Sequence, residues 1–267
     1  MMAKAPEALR LEGVVKRFGG LTAVRQVSFA VPANSIVAVI GPNGAGKTTL
    51  FHLISGFHRP DAGRIYFREA EITNLPPEQI ASAGAIRTFQ IVRLFGQMTA
   101  LENVLVGFHL NTHGSVLSAI IRFRWFRDQE KRIHKQAHDL LDLVGLTQLG
   151  QMPARNLTYG QQRLLEIARA LAGRPKLLML DEPAAGLNTA ETRDLMALIR
   201  RIREDGVTVL LVEHDMSLVM SLADEIHVIN FGERIASGRP EDIQVNPAVI
   251  EAYLGSSAAK VGSIAHV

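Results

Sequence analysis

Cysteine is absent from the 267 residues, which excludes a disulfide framework, a thiolate metal site and a cysteine nucleophile. The absence fits a reducing compartment without proving one. No apolar run approaches the ~18 residues needed to cross a bilayer, so any membrane role is expected to be peripheral. The N-terminus, Met1 to Arg10, mixes Lys4, Glu7 and Arg10 with small residues and has no apolar centre, so it does not read as a secretory signal. Strong charge is lacking too: a formal +3 is too mild to argue for nucleic acid by itself. There is no internal repeat and no long low-complexity tract. What is present is 47% hydrophobic content, enough for a large core in one domain, or in one domain with a subdomain.

Against that background stands Gly41-Pro42-Asn43-Gly44-Ala45-Gly46-Lys47-Thr48, which fits G-x-x-x-x-G-K-[ST], a loop that holds nucleotide phosphates. Its glycines let successive N–H groups turn inward around phosphate, Lys47 can reach the β/γ oxygens, and the Thr48 hydroxyl is placed to ligate Mg2+. Ser35 to Ile40 is an apolar run suited to a buried strand, and Thr49 to Ser55 continues as a helix that Gly56 could end. Strand, loop and helix thus come in the required order, which sets aside a chance Gly-rich turn.

The rest of the chain reads as α/β with a helical insertion. Leu9 to Phe18 and Val27 to Val31 suggest antiparallel strands, with Gly63 to Phe67 and Ala85 to Phe89 as further strands. The pattern turns helical over Pro76 to Ser82, Ala100 to Leu110 and Gln129 to Val144. Buried strands return at Leu177 to Leu180 and Val207 to Val212, separated by the helical Thr189 to Arg203, as in a βαβ unit. Glu225 to Gly238 resembles two short strands around Phe231-Gly232-Glu233, and the tail from Gly255 is small, polar and expected to fray.

Two strand ends carry further chemistry. Leu177-Leu178-Met179-Leu180 delivers Asp181 and Glu182 side by side. Asp181 could hold Mg2+ directly or through water, while Glu182 could orient and deprotonate a water attacking the γ-phosphate. Alone, such a pair would more often be a solvated turn; beside a phosphate loop it is a candidate site. Val209-Leu210-Leu211-Val212 leads to Glu213-His214-Asp215, putting an imidazole at an adjacent strand end. A lone histidine there would usually be structural or exposed.

Between these elements lies Leu157-Thr158-Tyr159-Gly160-Gln161-Gln162-Arg163, followed by helix-like Leu164 to Ala172. A hydroxyl, a backbone amide and a helix N-terminus make a second anion site. With this segment in place, the chain resembles the nucleotide-binding subunits of ATP-binding cassette (ABC) transporters across nearly its whole length; their signature is commonly L-S-G-G-Q. The resemblance implies the ABC ATPase fold, a phosphate-loop NTPase core with an antiparallel β subdomain and an inserted helical subdomain. It implies one domain over 1–255, with the insertion over about 92–173, and a flexible tail over 256–267. ATP would be held by Phe18, stacking on adenine, and by Gly41, Pro42, Asn43, Gly44, Ala45, Gly46, Lys47, Thr48 and Thr49. Mg2+ would lie near Thr48, Gln90 and Asp181. Glu182, His214 and Gln90 would serve catalysis, with His214 contacting γ-phosphate. Leu157, Thr158, Tyr159, Gly160 and Gln161 would reach the ATP held by another subunit. Without the resemblance, Phe18 would be a core or edge-strand aromatic and Gln90 an ordinary strand-end polar residue.

Two departures stand out. Tyr159 replaces the first signature glycine, and Asn188 follows Gly186-Leu187 where the broader family often has Asp. Both resemble the subgroup serving branched-chain amino-acid uptake. So do Ala85-Ile86-Arg87-Thr88-Phe89-Gln90 with Arg93-Leu94-Phe95, Asp181 through Asn188, and Asn246 through Gly255. The expected role is a peripheral ATPase on the cytoplasmic face of the inner or plasma membrane, powering an importer for branched-chain or other hydrophobic amino acids. Its expected partners are a second ABC ATPase, with a related nonidentical chain favoured over a homodimer, integral membrane permease subunits and, indirectly, a periplasmic or surface solute-binding protein. Leu94 and Phe95 would face a permease helix or else join the core. The stretch Arg122-Phe123-Arg124-Trp125-Phe126-Arg127, with Lys131, Arg132 and Lys135, is either a solvated helical face or a membrane-proximal patch. A soluble clamp or regulator on nucleic acid or ribosomes is the alternative, although no nucleic-acid partner is expected. A small-molecule kinase is disfavoured by the signature and Glu182.

Overall fold

A computed structural model describes residues 6–88, 93–108 and 123–253, with the backbone alone for 123–128. Among the described residues the strands form two sheets. The smaller is antiparallel, in the order β2 (Leu21–Pro32), β1 (Glu7–Phe18), β4 (Ala62–Phe67), β5 (Ala70–Glu71). The larger runs β10 (Glu233–Gly238), β9 (Glu225–Asn230), β3 (Ile36–Ile40), β8 (Thr208–Val212), β7 (Leu177–Asp181), β6 (Ala85–Arg87). Its strands are parallel except β10, which returns antiparallel to β9.

The apolar strands β3, β7 and β8 are buried along their entire length because the sheet is covered on both faces. Period-two alternation sorts their side chains. Ile36, Ala38, Ile40, Leu178, Leu180, Val209 and Leu211 face one core with the helices α3 (Ala100–Gly107), α4 (Phe123–Leu143), α5 (Tyr159–Ala172) and α6 (Thr189–Glu204). Val37, Val39, Leu177, Met179, Leu210 and Val212 face the other, with the antiparallel sheet and α1 (Lys47–Ile54).

Several sequence expectations change at their edges. The second strand begins at Leu21, not Val27: polar Thr22, Arg25 and Gln26 interrupt the apolar run, yet pairing with β1 continues through register shifts, with Gln26 at φ 47°. The strand expected to reach Phe89 ends at Arg87, although the Thr88 N–H still donates to the Met179 carbonyl at 2.9 Å; Phe89 lies outside the described residues. The helix expected from Gln129 starts at Phe123, so the basic-aromatic stretch is helical in backbone from there. Arg122 and the side chains of 123–128 lie outside the description, as do Leu110 and the tail from residue 254. Helices α2 (Pro77–Ala83), α7 (Met216–Leu222) and α8 (Pro240–Gln244) complete the named elements. The last two carry no sequence expectation because they are too short for a clear period.

Candidate nucleotide site

Parallel register puts three strand ends on one edge. Val39 of β3 pairs with Val212 of β8, which pairs with Asp181 of β7. Neighbouring strands lie about 4.8 Å apart, so the loop after β3, His214 after β8 and Glu182 after β7 emerge side by side at the carboxyl edge, where open α/β sheets bind ligands.

The loop is fixed by close backbone approach. A Cβ on Gly41 would sit 1.9 Å from the Ile229 carbonyl oxygen, and one on Gly46, at φ 105°, would sit 2.4 Å from that of Ala23. Glycine is required at both. The Gly232 N–H donates to the Ala45 carbonyl at 2.8 Å, so the β9–β10 turn braces the loop from behind. Gly46 caps α1 in the left-handed region; Pro42 is half-buried, Asn43, Gly44 and Thr48 are exposed, and Thr49 is half-buried. Lys47 is buried, and its Nζ donates to the carbonyls of Gly41 at 2.6 Å and Pro42 at 2.9 Å. Burial lowers its pKa, opposed by the charges of Glu182 and Asp181.

Asp181 is buried as the last residue of β7. Glu182 turns out of the strand at φ 47°, an unusual conformation for a residue with a side chain. Its N–H donates to the Val212 carbonyl at 2.9 Å. The His214 Nδ1 lies 4.0 Å from Glu182 Oε2 and 3.8 Å from Glu213 Oε2. Glu213 carries no role in the sequence pattern beyond adjoining His214. It is buried and accepts from the Ala184 N–H at 2.9 Å and the His214 N–H at 3.1 Å. Burial raises its pKa, against the pull of those N–H donors. It therefore ties the turn after Glu182 to the strand carrying His214. Among the described residues no group of three His, Cys, Asp or Glu could hold a metal ion. The oxygen donors present, the Thr48 hydroxyl and the Asp181 carboxylate, suit Mg2+, which usually takes one or two carboxylates together with substrate phosphate and water.

The signature turn is not on this edge; it opens α5. The helix begins at Tyr159, five residues ahead of the expected Leu164, because Thr158 caps it: the Thr158 hydroxyl accepts from the Gln161 N–H at 3.3 Å and Gln161 Oε1 accepts from the Thr158 N–H at 3.0 Å. Leu157 is buried below. The two departures from the usual motif are neighbours in space. The Tyr159 ring lies where a Cβ on Gly186 would meet its Cε1 at 3.0 Å, and Gly160 packs so closely on Glu191 that a Cβ would fall 2.5 Å from Oε1. Glu191 in turn closes a capping box with Asn188. A cavity of about 640 Å³ lies between this turn and α6. Glu191, Asp194 and Arg201 are the charged residues of its lining.

Phe18 closes the β1–β2 hairpin opposite Leu21. At 44% exposure it is no core residue; its ring meets His58 edge-on at 5.4 Å. Gln90 lies outside the described residues. Leu94 packs on the core, whereas Phe95 is 50% exposed. Buried Asn103 accepts from the Phe95 N–H at 2.9 Å and donates to the Phe95 carbonyl at 3.1 Å. Beside Phe95 is a cavity of about 450 Å³ lined by Ile86, Thr88, Val106, Gly107 and Arg169.

Comparison with known proteins gives two family matches: "ABC transporter" over residues 24–185 and "Branched-chain amino acid ATP-binding cassette transporter" over residues 233–259. The chain is 50% identical over 250 residues to the high-affinity branched-chain amino acid transport ATP-binding protein BraF of Pseudomonas aeruginosa, covering 93% of this chain and 98% of that protein. To LivG of Escherichia coli, which bears the same description, it is 46% identical with the same coverage. A crystal structure of the ADP conformation of an ABC transporter cassette superposes with TM-score 0.81 at 35% identity, over 93% of this chain and 99% of that one.

Proposed function

We propose, from the premise that this chain belongs to the ABC transporter family, that it supplies half of each of two shared ATP sites. The chain is the ATP-hydrolysing subunit of a branched-chain amino acid ABC importer. The comparisons give no support to a nucleic-acid clamp.

The observation that carries the proposal is the separation within one chain. The phosphate loop, Asp181, Glu182 and His214 share the carboxyl edge of the sheet, while Thr158 to Gln161 stand at the N-terminus of α5 in another layer. Lys47 and the loop amides bind the phosphates, and Phe18 offers its exposed face to the base. Thr48 and Asp181 would hold Mg2+, which would supply neutralisation of phosphate charge. Glu182 orients the attacking water and takes its proton; His214, within 4.0 Å of it, steadies the Glu182 carboxylate and faces the γ-phosphate. Gln90 is assigned to the metal by family resemblance alone. The signature turn of a second cassette, a related chain or another copy of this one, covers the γ-phosphate, so closure requires two chains. Dimer closure and reopening pass to membrane permease subunits through the groove beside Phe95. None of the described helices is long and apolar enough to cross a membrane; attachment at the cytoplasmic face runs through those permeases, with a solute-binding protein on the far side.

The test is reconstitution. The chain, co-expressed with its permease subunits and second cassette, should drive leucine uptake into vesicles when ATP is on the cassette side. Lys47→Ala should abolish it. Uptake that survives Lys47→Ala, or a chain that copurifies with ribosomes and not with membrane proteins, would contradict the assignment.

A further inference from the structure

We propose that Arg87 is a positioning residue for the metal side of the ATP site, holding the Asp181 carboxylate and tying it to the helix that follows the phosphate loop. The inference rests on the assignment of Asp181 to Mg2+ made above. The Arg87 Nη2 donates to Asp181 Oδ2 at 2.6 Å, with the two side chains 4% and 3% exposed. Its Nη1 donates to the Ser55 hydroxyl at 3.0 Å, and that hydroxyl donates to the Phe51 carbonyl at 2.6 Å. Ser55 is the C-cap of α1, whose first residue is Lys47. The guanidinium also lies 5.6 Å from the centre of the Phe51 ring. One planar cation thus bridges the end of β7 and the far end of α1.

The arrangement has three consequences. A buried carboxylate needs a compensating charge, and Lys47 gives its two hydrogen bonds to loop carbonyls. Arg87 therefore holds Asp181 oriented before any metal arrives. Second, a guanidinium fork reaches Asp181 and Ser55 at once in fixed directions, which a single ammonium cannot do. With Oδ2 held by Arg87, Oδ1 would be the oxygen offered to the metal or its water. Third, Arg87 is the last residue of β6, lies across from Met179 of β7, and is followed by Thr88, bonded to the Met179 carbonyl. Arg87 and Thr88 thus tie β6 to the strand that ends in Asp181.

Groups that orient metal ligands from behind typically change metal affinity 10- to 100-fold when removed. The test uses Mn2+ in place of Mg2+, with the full chain and saturating ATP, and reads free Mn2+ by its electron paramagnetic resonance signal. Arg87→Gln should weaken Mn2+ binding about tenfold, while ATP affinity in EDTA stays within about twofold. Arg87→Lys, which keeps the charge and protects against misfolding, should give an intermediate loss. Asp181→Asn is measured in parallel. If it weakens Mn2+ binding while both Arg87 variants, shown folded by thermal melting, bind Mn2+ as the parent does, Arg87 is merely structural and the proposal is overturned. Tighter Mn2+ binding in Arg87→Gln would overturn it as well. If Asp181→Asn leaves Mn2+ affinity unchanged, the assignment of Asp181 to the metal is what fails.

Discussion

Lys47 of the phosphate loop and Tyr159 of the signature turn differ first in burial: Lys47 is 7% exposed, whereas Tyr159 is 45% exposed. They differ also in what holds them. The loop is clamped by backbone from β9, β2 and the β9–β10 turn, through Ile229, Ala23 and Gly232. The turn is held by its own helix cap and by Tyr159 and Gly160 leaning on Gly186 and Glu191. In the proposed function, the side that binds and cleaves ATP is set inside one folded chain, and the side that completes the site is presented outward for another chain to use.

That contrast can be broken by experiment. The largest effect belongs to Glu182→Gln, which should slow phosphate release in the assembled transporter by about 10²- to 10⁴-fold, the usual contribution of a general base, with ATP still bound. Turnover near the parent rate would remove Glu182 from that role. Next, Lys47→Ala should weaken ATP binding by the isolated chain about 10- to 100-fold, as expected for a lost charge-assisted bond; titration calorimetry measures it.

A pH effect should follow on the clamped side. His227 of β9 is buried against Phe29 of β2, with ring centres 4.4 Å apart. Burial, reinforced by the charge of Arg234, lowers its pKa to about 4. The unfolded chain takes up a proton near pH 6.5 that the folded chain refuses until about pH 4, so stability falls as pH drops through that window. The loss should reach about 2 kcal/mol by pH 5, seen as a lower melting midpoint that His227→Gln makes less dependent on pH.

Smaller still is the turn. Thr158→Ala removes a helix cap and should cost about 1 kcal/mol of stability. It should leave ATP binding by the isolated chain unchanged and lower turnover only in the assembly. Weaker ATP binding by the isolated Thr158→Ala chain would mean that the two sides are not separable.

How far the sequence reveals this site depends on distance along the chain. The phosphate loop and the apolar strands are local patterns, visible because spacing alone determines them. Arg87 and Asp181 are separated by 94 positions, and Ala184 and Glu213 by 29; only the order of strands in the sheet brings them together. Nor does the sequence show that Tyr159 and Asn188 belong to one patch, since that depends on how α5 meets the start of α6. The helix start at Tyr159 is hidden in the sequence because Gly160 and polar Gln161 and Gln162 obscure the apolar period.

The most direct test of a site divided between chains is single-turnover ATP hydrolysis by this chain, titrated with its partner cassette at fixed Mg2+. ATP binding should be complete without the partner, and hydrolysis should rise with partner concentration to a plateau. Hydrolysis at the plateau rate by the dilute, monomeric chain alone would contradict the divided site.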